Sequence, residues 1–143
     1  MLTRVLVLAN ILMLLGGCAL SPLEQVNVAA NKITYVSDKD NYGVTDYWAY
    51  PDEFKARGGD CEDYAIYKLD TIRRNGIASL DQMSIVLVHM RVTGEGHAFL
   101  KVGDYYLDNR YDLVTTHFNH VEYKYIVSIG GHDVNKIIRT KRP

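Results

Sequence analysis

The apolar positions between residues 61 and 72 recur with the period of a helix. Cys61, Ala65, Ile66, Leu69 and Ile72 are spaced by four, one, three and three, which gathers them on one face. Gly58-Gly59 in front reads as a flexible loop, and Asn75-Gly76 behind supplies a stop. Residues 83–92 are apolar, β-branched and continuous, so they read as a central strand covered on both faces. Residues 97–102 and 105–109 flank Gly103-Asp104, and a two-residue loop with glycine first signals a hairpin. Residues 123–129 alternate as a further strand, broken by Gly130-Gly131. Pro51 opens a short helix over residues 51–57, since proline suits a first turn. The polar runs 37–41 and 113–122 read as loops, and the basic tail from Lys136 as solvated chain.

The N-terminal pattern differs in kind. Arg4 precedes an apolar run from Val5 to Leu15, too short to span a bilayer comfortably. The run ends in Leu15-Gly16-Gly17-Cys18, which resembles a bacterial lipobox, and the resemblance implies that Cys18 becomes an acylated N-terminus. The division expected is a signal peptide at 1–17, a lipidated tether at 18–31 and one domain at 32–143. Residues 19–31 read equally as a tether or a short helix. The same lipoprotein resemblance implies that Ala19 after the cysteine favours the outer membrane, with the domain on the periplasmic face.

A chain of 143 residues, 48% hydrophobic, suffices for one core. A net charge of −1 leaves no basic footprint for nucleic acid. Eleven tyrosines suit a sheet or a peptide-binding groove. There are two cysteines, and acylation of Cys18 would make Cys61 the sole free thiol.

Cys61 falls in the first turn of its helix, where unpaired N–H groups and the helix dipole favour a thiolate. The same position also suits a small buried structural residue. Asp60, Glu62 and Asp63 crowd the thiol, stabilising the helix start and opposing the thiolate. Three carboxylates within four residues suit calcium, or they simply cap the helix; helical spacing turns Asp60 and Glu62 away from Cys61. The Gly103-Asp104 turn sets Val102 opposite Tyr105 and Phe99 opposite Asp108. His97, Phe99, Asp108 and Arg110 then share a face, with His97 and Asp108 as diagonal neighbours. Cysteine, histidine and aspartate in that arrangement make nucleophile, base and orienting acid. His89 reads as a core residue, and His117 and His120 as solvated loop residues without a third ligand. Trp48 either lines the cleft or packs in the core.

Tyr47-Trp48-Ala49-Tyr50-Pro51-Asp52-Glu53-Phe54, Gly59-Asp60-Cys61-Glu62-Asp63-Tyr64-Ala65, Gly96-His97-Ala98 and Leu107-Asp108-Asn109 resemble the bacterial transglutaminase-like cysteine proteinases. The resemblance covers about residues 31–129, and its Gly-Asp-Cys-Glu-Asp-Tyr-Ala run is specific. It implies an α+β fold with a papain-like or transglutaminase-like core, the nucleophile helix packed on an antiparallel sheet. It implies Cys61, His97 and Asp108 as catalytic residues, with calcium on Asp60 and Glu62. The partners implied are a protein substrate such as a cell-surface adhesin or other envelope protein, the membrane through Cys18, and a regulatory membrane protein. The chain departs from the pattern in being shorter and in carrying the lipobox. Two other readings stand beside peptide hydrolysis: acyl transfer to an amine on the same triad, and a non-catalytic peptide-binding lipoprotein.

Overall fold

The computed structural model describes residues 19–142. Five helices and four strands follow in the order α1 Pro22–Asn31, α2 Asp38–Tyr42, α3 Pro51–Arg57, α4 Cys61–Arg74, β1 Met83–Met90, β2 Gly96–Val102, β3 Tyr105–Leu107, β4 Tyr123–Gly130 and α5 Val134–Thr140. The strands form one antiparallel sheet in the order β3-β2-β1-β4. This is the expected α+β class, with a helix on an antiparallel sheet.

The helical period of α4 points Ala65, Ile66, Leu69 and Ile72 at Met83, Ile85, Ala98, Leu100, Val102 and Leu107. Burying each large aliphatic side chain there stabilises the fold by about 1.5–3 kcal/mol. The alternate residues of the same strands, Val86, Val88 and Phe99, form a second cluster with Tyr123 on the other face. The central strand is thus covered on both sides, as its unbroken apolar run requires. His89 does not share that burial. It is exposed at the end of β1 opposite Gly96 and Lys124, which place no apolar side chain over it.

The hairpin forms in the expected register. Val102 pairs with Tyr105, Lys101 with Tyr106 and Leu100 with Leu107 around a Gly103 at φ 55°. Of the two readings for residues 19–31 the short helix forms, as α1, capped by Ser21 with Val26, Asn27 and Ala30 buried. Two other local expectations give way to long-range packing. The stretch expected as a loop at 37–41 contains α2, whose Ser37 hydroxyl accepts from the Asp40 N–H. The tail is not solvated from Lys136: α5 buries Val134 and Ile138, and Arg142 forks onto Glu53 at 2.7 and 2.8 Å. Among the described residues no helix is long and apolar enough to cross a membrane.

Candidate active site

The double glycine that precedes α4 is pinned, not flexible. Gly59 bridges to Tyr35, and the Val36 N–H donates to the Gly59 carbonyl at 2.9 Å. Gly58 has φ +74°, and a Cβ there would lie 2.2 Å from the Thr34 carbonyl oxygen. Only glycine accepts both constraints. This fixes the entry to α4 and so the place of Cys61 in its first turn.

His97 stands near the start of β2 and Asp108 one residue past β3, on the shared face that the hairpin register dictates. His97 Nε2 and Asp108 Oδ1 are 2.9 Å apart, and both residues are buried. Asp108 has further partners. Its Oδ1 accepts from the Arg110 N–H at 3.0 Å, and its Oδ2 accepts from the Tyr123 hydroxyl at 2.7 Å. Burial pushes the Asp108 carboxyl up, but the His97 pairing, the Arg110 N–H and the Tyr123 hydroxyl together hold it below its ordinary value. The segment after Asp108 is tied to α1. Asn31 Nδ2 donates to the Asp108 and Tyr111 carbonyls at 3.2 and 3.0 Å, and Asn27 Nδ2 to those of Tyr111 and Asp112 at 2.9 and 3.0 Å.

Cys61 and His97 line the same hollow, together with Tyr35, Gly96, Asn109 and Arg110. They also share a second one with Trp48, Asp60 and Glu62. Trp48 therefore fills both of its sequence readings: it is only 4% exposed and packed in the core, and it walls the hollow of the thiol. Cys61 is the one free thiol among the described residues; Cys18 lies outside them.

Glu62 does not turn away from the thiol as helical spacing suggested. Cys61 Sγ donates to Glu62 Oε2 at 3.1 Å. Burial, then the neighbouring Glu62 and Asp60 carboxylates, push the thiol well above its ordinary range, against the lowering expected from a helix start alone.

The acids divide into two kinds. Asp63 is a strut: its Oδ1 accepts from the buried Ala49 N–H at 2.7 Å and its Oδ2 from the Asp60 N–H at 3.3 Å. Asp60 and Asp38 each keep a buried carboxylate oxygen without a partner among the described residues. Potential ligand atoms of Asp38, Asp60 and Asp63 lie within 4.8 Å of one another, as do those of Asp38, Asp46 and Glu62, and those of Asp60, Cys61 and Glu62. Burial first, then mutual repulsion, drives the Asp60 carboxyl far upward, and burial raises those of Asp38 and Asp63 as well. A cluster of hard oxygen donors, two of them orphaned, fits a divalent cation such as calcium. The expected set of Asp60, Glu62 and Asp63 thus gains Asp38 and Asp46 from upstream. His117 and His120 are exposed and belong to no such cluster among the described residues.

Sequence reasoning missed Tyr123, Asn27, Asn31, Asp38 and Asp46. The acid-rich run at 38–46 carried a signal for the last two; nothing in the alternation of β4 singled out Tyr123.

The sequence model described as bacterial transglutaminase-like cysteine proteinase BTLCP matches residues 11–140. Among solved structures, calcium-bound Legionella pneumophila LapG superposes with a TM-score of 0.66 at 30% identity, over 76% of this chain and 63% of that one. EGTA-treated LapG from the same organism gives the same TM-score and identity, over 76% of this chain and 61% of that one. The chain thus spans less than two thirds of the LapG chains it matches. No curated protein matches it. With 130 of its 143 positions inside the family match, the chain belongs to the bacterial transglutaminase-like cysteine proteinases.

Proposed function

We propose that this chain is a calcium-dependent cysteine peptidase, lipid-anchored through Cys18 on the periplasmic face of the outer membrane, that cleaves an envelope protein such as a cell-surface adhesin. The observation that carries the reading is the His97–Asp108 pair at 2.9 Å beside a thiol in the first turn of a helix. Asp108 engages Nε2, so Nδ1 is the ring nitrogen left to exchange a proton with Cys61. The thiol proton passes to Nδ1 as Sγ bonds to the substrate carbonyl carbon. His97 returns that proton to the leaving amine as the C–N bond breaks, and water then hydrolyses the thioester. N–H groups of the first turn, without acceptors inside the helix, are the donors that a developing oxyanion requires. Asp38, Asp60, Glu62 and Asp46 would hold calcium, with Asp63 bracing Asp60; that ion supplies the positive charge that offsets the carboxylates around the thiol. Calcium-bound LapG supports this reading by similarity.

The test is cleavage of envelope proteins by the purified chain, followed by mass spectrometry with and without an added amine. Cys61→Ser should keep its melting temperature and lose cleavage, and EGTA should suppress the wild type. Cleavage at the wild-type rate by Cys61→Ser ends the proposal. Amine-adducted products would replace hydrolysis with transamidation. Cys18→Ala should release the domain from the membrane fraction.

A further inference from the structure

Tyr35, Cys61, Gly96 and His97 are the residues that line both hollows beside the thiol. Two of them are the nucleophile and its base, and Gly96 brings no side chain. Tyr35 has no part in the proton transfers above. It also reaches the thiol from a different element: it lies ahead of α2, whereas His97 stands on β2.

The place of Tyr35 is tied to that of Cys61 twice over. Its backbone bridges in parallel to Gly59, two residues before Cys61. The Gly59 N–H donates to the Thr34 carbonyl at 3.4 Å and the Val36 N–H to the Gly59 carbonyl at 2.9 Å, so both neighbours of Tyr35 are bonded to the nucleophile loop. The second tie runs through α4. The Tyr35 ring stacks on that of Tyr64, with centroids 6.5 Å apart and planes 17° from parallel. Tyr64 lies on α4 three residues beyond Cys61, and its hydroxyl donates back to the Ile33 carbonyl, in the segment that carries Tyr35.

Packing alone does not explain a tyrosine here, because the side chain is 58% exposed. The Tyr64 and Tyr123 hydroxyls are spent on the fold, while that of Tyr35 has no partner among the described residues. Partial burial first, then the charges of Cys61, Asp60 and Glu62, push its phenol up to about 12, so the hydroxyl remains a donor around neutral pH. The resting chain thus holds a fixed donor at the thiol with nothing to receive its hydrogen bond.

The reaction supplies an acceptor. As Sγ bonds to the carbonyl carbon, the electron pair of the C=O π bond moves onto oxygen. We propose that Tyr35 is a further catalytic residue, its hydroxyl donating a hydrogen bond to that oxyanion alongside the N–H groups of the α4 first turn. No proton changes hands: the pair returns to the carbon as the C–N bond breaks, and Tyr35 keeps its hydrogen. That the natural acyl group is a peptide carbonyl rests on the peptidase reading above. The donation to an oxyanion formed at Cys61 applies to any acyl reagent.

Tyr35→Phe deletes the hydroxyl and keeps the stacked ring, so the melting temperature should not change. Two reagents for the same thiol isolate the oxyanion. p-Nitrophenyl acetate acylates Cys61 through a tetrahedral oxyanion and releases nitrophenolate. Iodoacetamide alkylates it by direct displacement of iodide, with no oxyanion. In Tyr35→Phe the nitrophenolate burst should slow by about tenfold or more, while alkylation stays within about twofold of wild type. In envelope-protein cleavage, kcat should fall by about tenfold or more with KM changed less than about threefold. A burst that slows by less than about tenfold overturns the proposal and leaves Tyr35 as an aromatic wall. Equal slowing of acylation and alkylation overturns it as well, since the effect then lies on ionisation of the thiol. A wild type that is acylated but cleaves no envelope protein strikes the peptidase reading, and the comparison of the two reagents still decides the role of Tyr35.

Discussion

Replacing Tyr123 by phenylalanine removes one oxygen and tests the support of the triad. That hydroxyl donates to Asp108 Oδ2 at 2.7 Å and accepts from Arg110 Nη1 at 3.1 Å. Asp108 keeps its two partners on Oδ1, His97 and the Arg110 N–H, but Oδ2 is left bare in a residue only 7% exposed. A hydrogen bond to an ionised group contributes about 1.5–3 kcal/mol, so Tyr123→Phe should lose that much stability at pH 7. The ring stays in its aromatic cluster with Phe99 and Phe118, so no cavity adds to the loss. The pH dependence gives the sharper check. The Asp108 carboxyl is held below its ordinary 3.8 in the folded chain, so its contribution is complete above that value and lost as pH falls through the lower, folded one. The stability gap between wild type and Tyr123→Phe should therefore narrow on acidification, towards the roughly 0.5–1.5 kcal/mol of a neutral hydrogen bond. The assay is urea unfolding from pH 7 downward, with cleavage rates in parallel; a looser Asp108 should lower kcat by about tenfold. A gap that is flat with pH, or under about 0.5 kcal/mol at pH 7, would refute the role of the Tyr123 hydroxyl in keeping Asp108 ionised.

Two further substitutions probe the frame around the site. Gly59→Ala places a Cβ 2.2 Å from Asp63 Oδ2, which dislodges the strut; a loss of about 2 kcal/mol or more in urea unfolding is expected, with slower alkylation of Cys61. Arg142 holds the Glu53 carboxyl down at about 2 from an ordinary 4.5, chiefly through its paired hydrogen bonds. A depressed carboxyl stabilises above its unfolded value, so Arg142→Met should cost about 0.5–1 kcal/mol at pH 7, and that difference should vanish as pH falls from 4.5 towards 2.

What was legible in the chain is what local rules determine. A two-residue turn at Gly103-Asp104 fixes the pairing of Val102 with Tyr105, and strict alternation then carries His97 and Asp108 onto one face. The helical period of α4 likewise fixes which side meets the sheet. Elements whose stability comes from distant partners were not legible. The seven residues of α5 are too few to hold a helix alone, and the contacts that secure that end of the chain lie far away, as in Arg142 on Glu53, 89 residues distant. Tyr123 could be read as a strand residue, but its hydroxyl finds Asp108 only because β1 pairs with β2 on one side and β4 on the other and so fixes their relative placement.

The acidic residues show most clearly where residue type and spacing stop being informative. Asp60, Glu62 and Asp63 sit within four positions of one helix start, and by local rules each is an equal candidate for cap or metal ligand. What separates them is how many lone pairs the backbone has already taken. Asp63, at the third helical position, has both oxygens accepting N–H groups, one from Asp60 beside it and one from Ala49 in a different segment. Its capacity for a cation is largely spent, and its work is to brace the loop that carries Cys61. Asp60 stands at the N-cap, yet one of its oxygens is buried with no partner among the described residues. Asp38, 22 residues upstream, brings a second orphaned oxygen because α2 folds back against the glycine loop, where Asn41 donates to the Gly58 carbonyl at 3.2 Å. A divalent cation therefore gains most from Asp60 and Asp38, with Glu62 adding an oxygen that otherwise accepts from the thiol. The same carboxylate that stabilises the resting thiol through a hydrogen bond opposes its ionisation, as does Asp60, so a cation drawing on Glu62 and Asp60 together with the upstream Asp38 would lower the cost of a thiolate at Cys61.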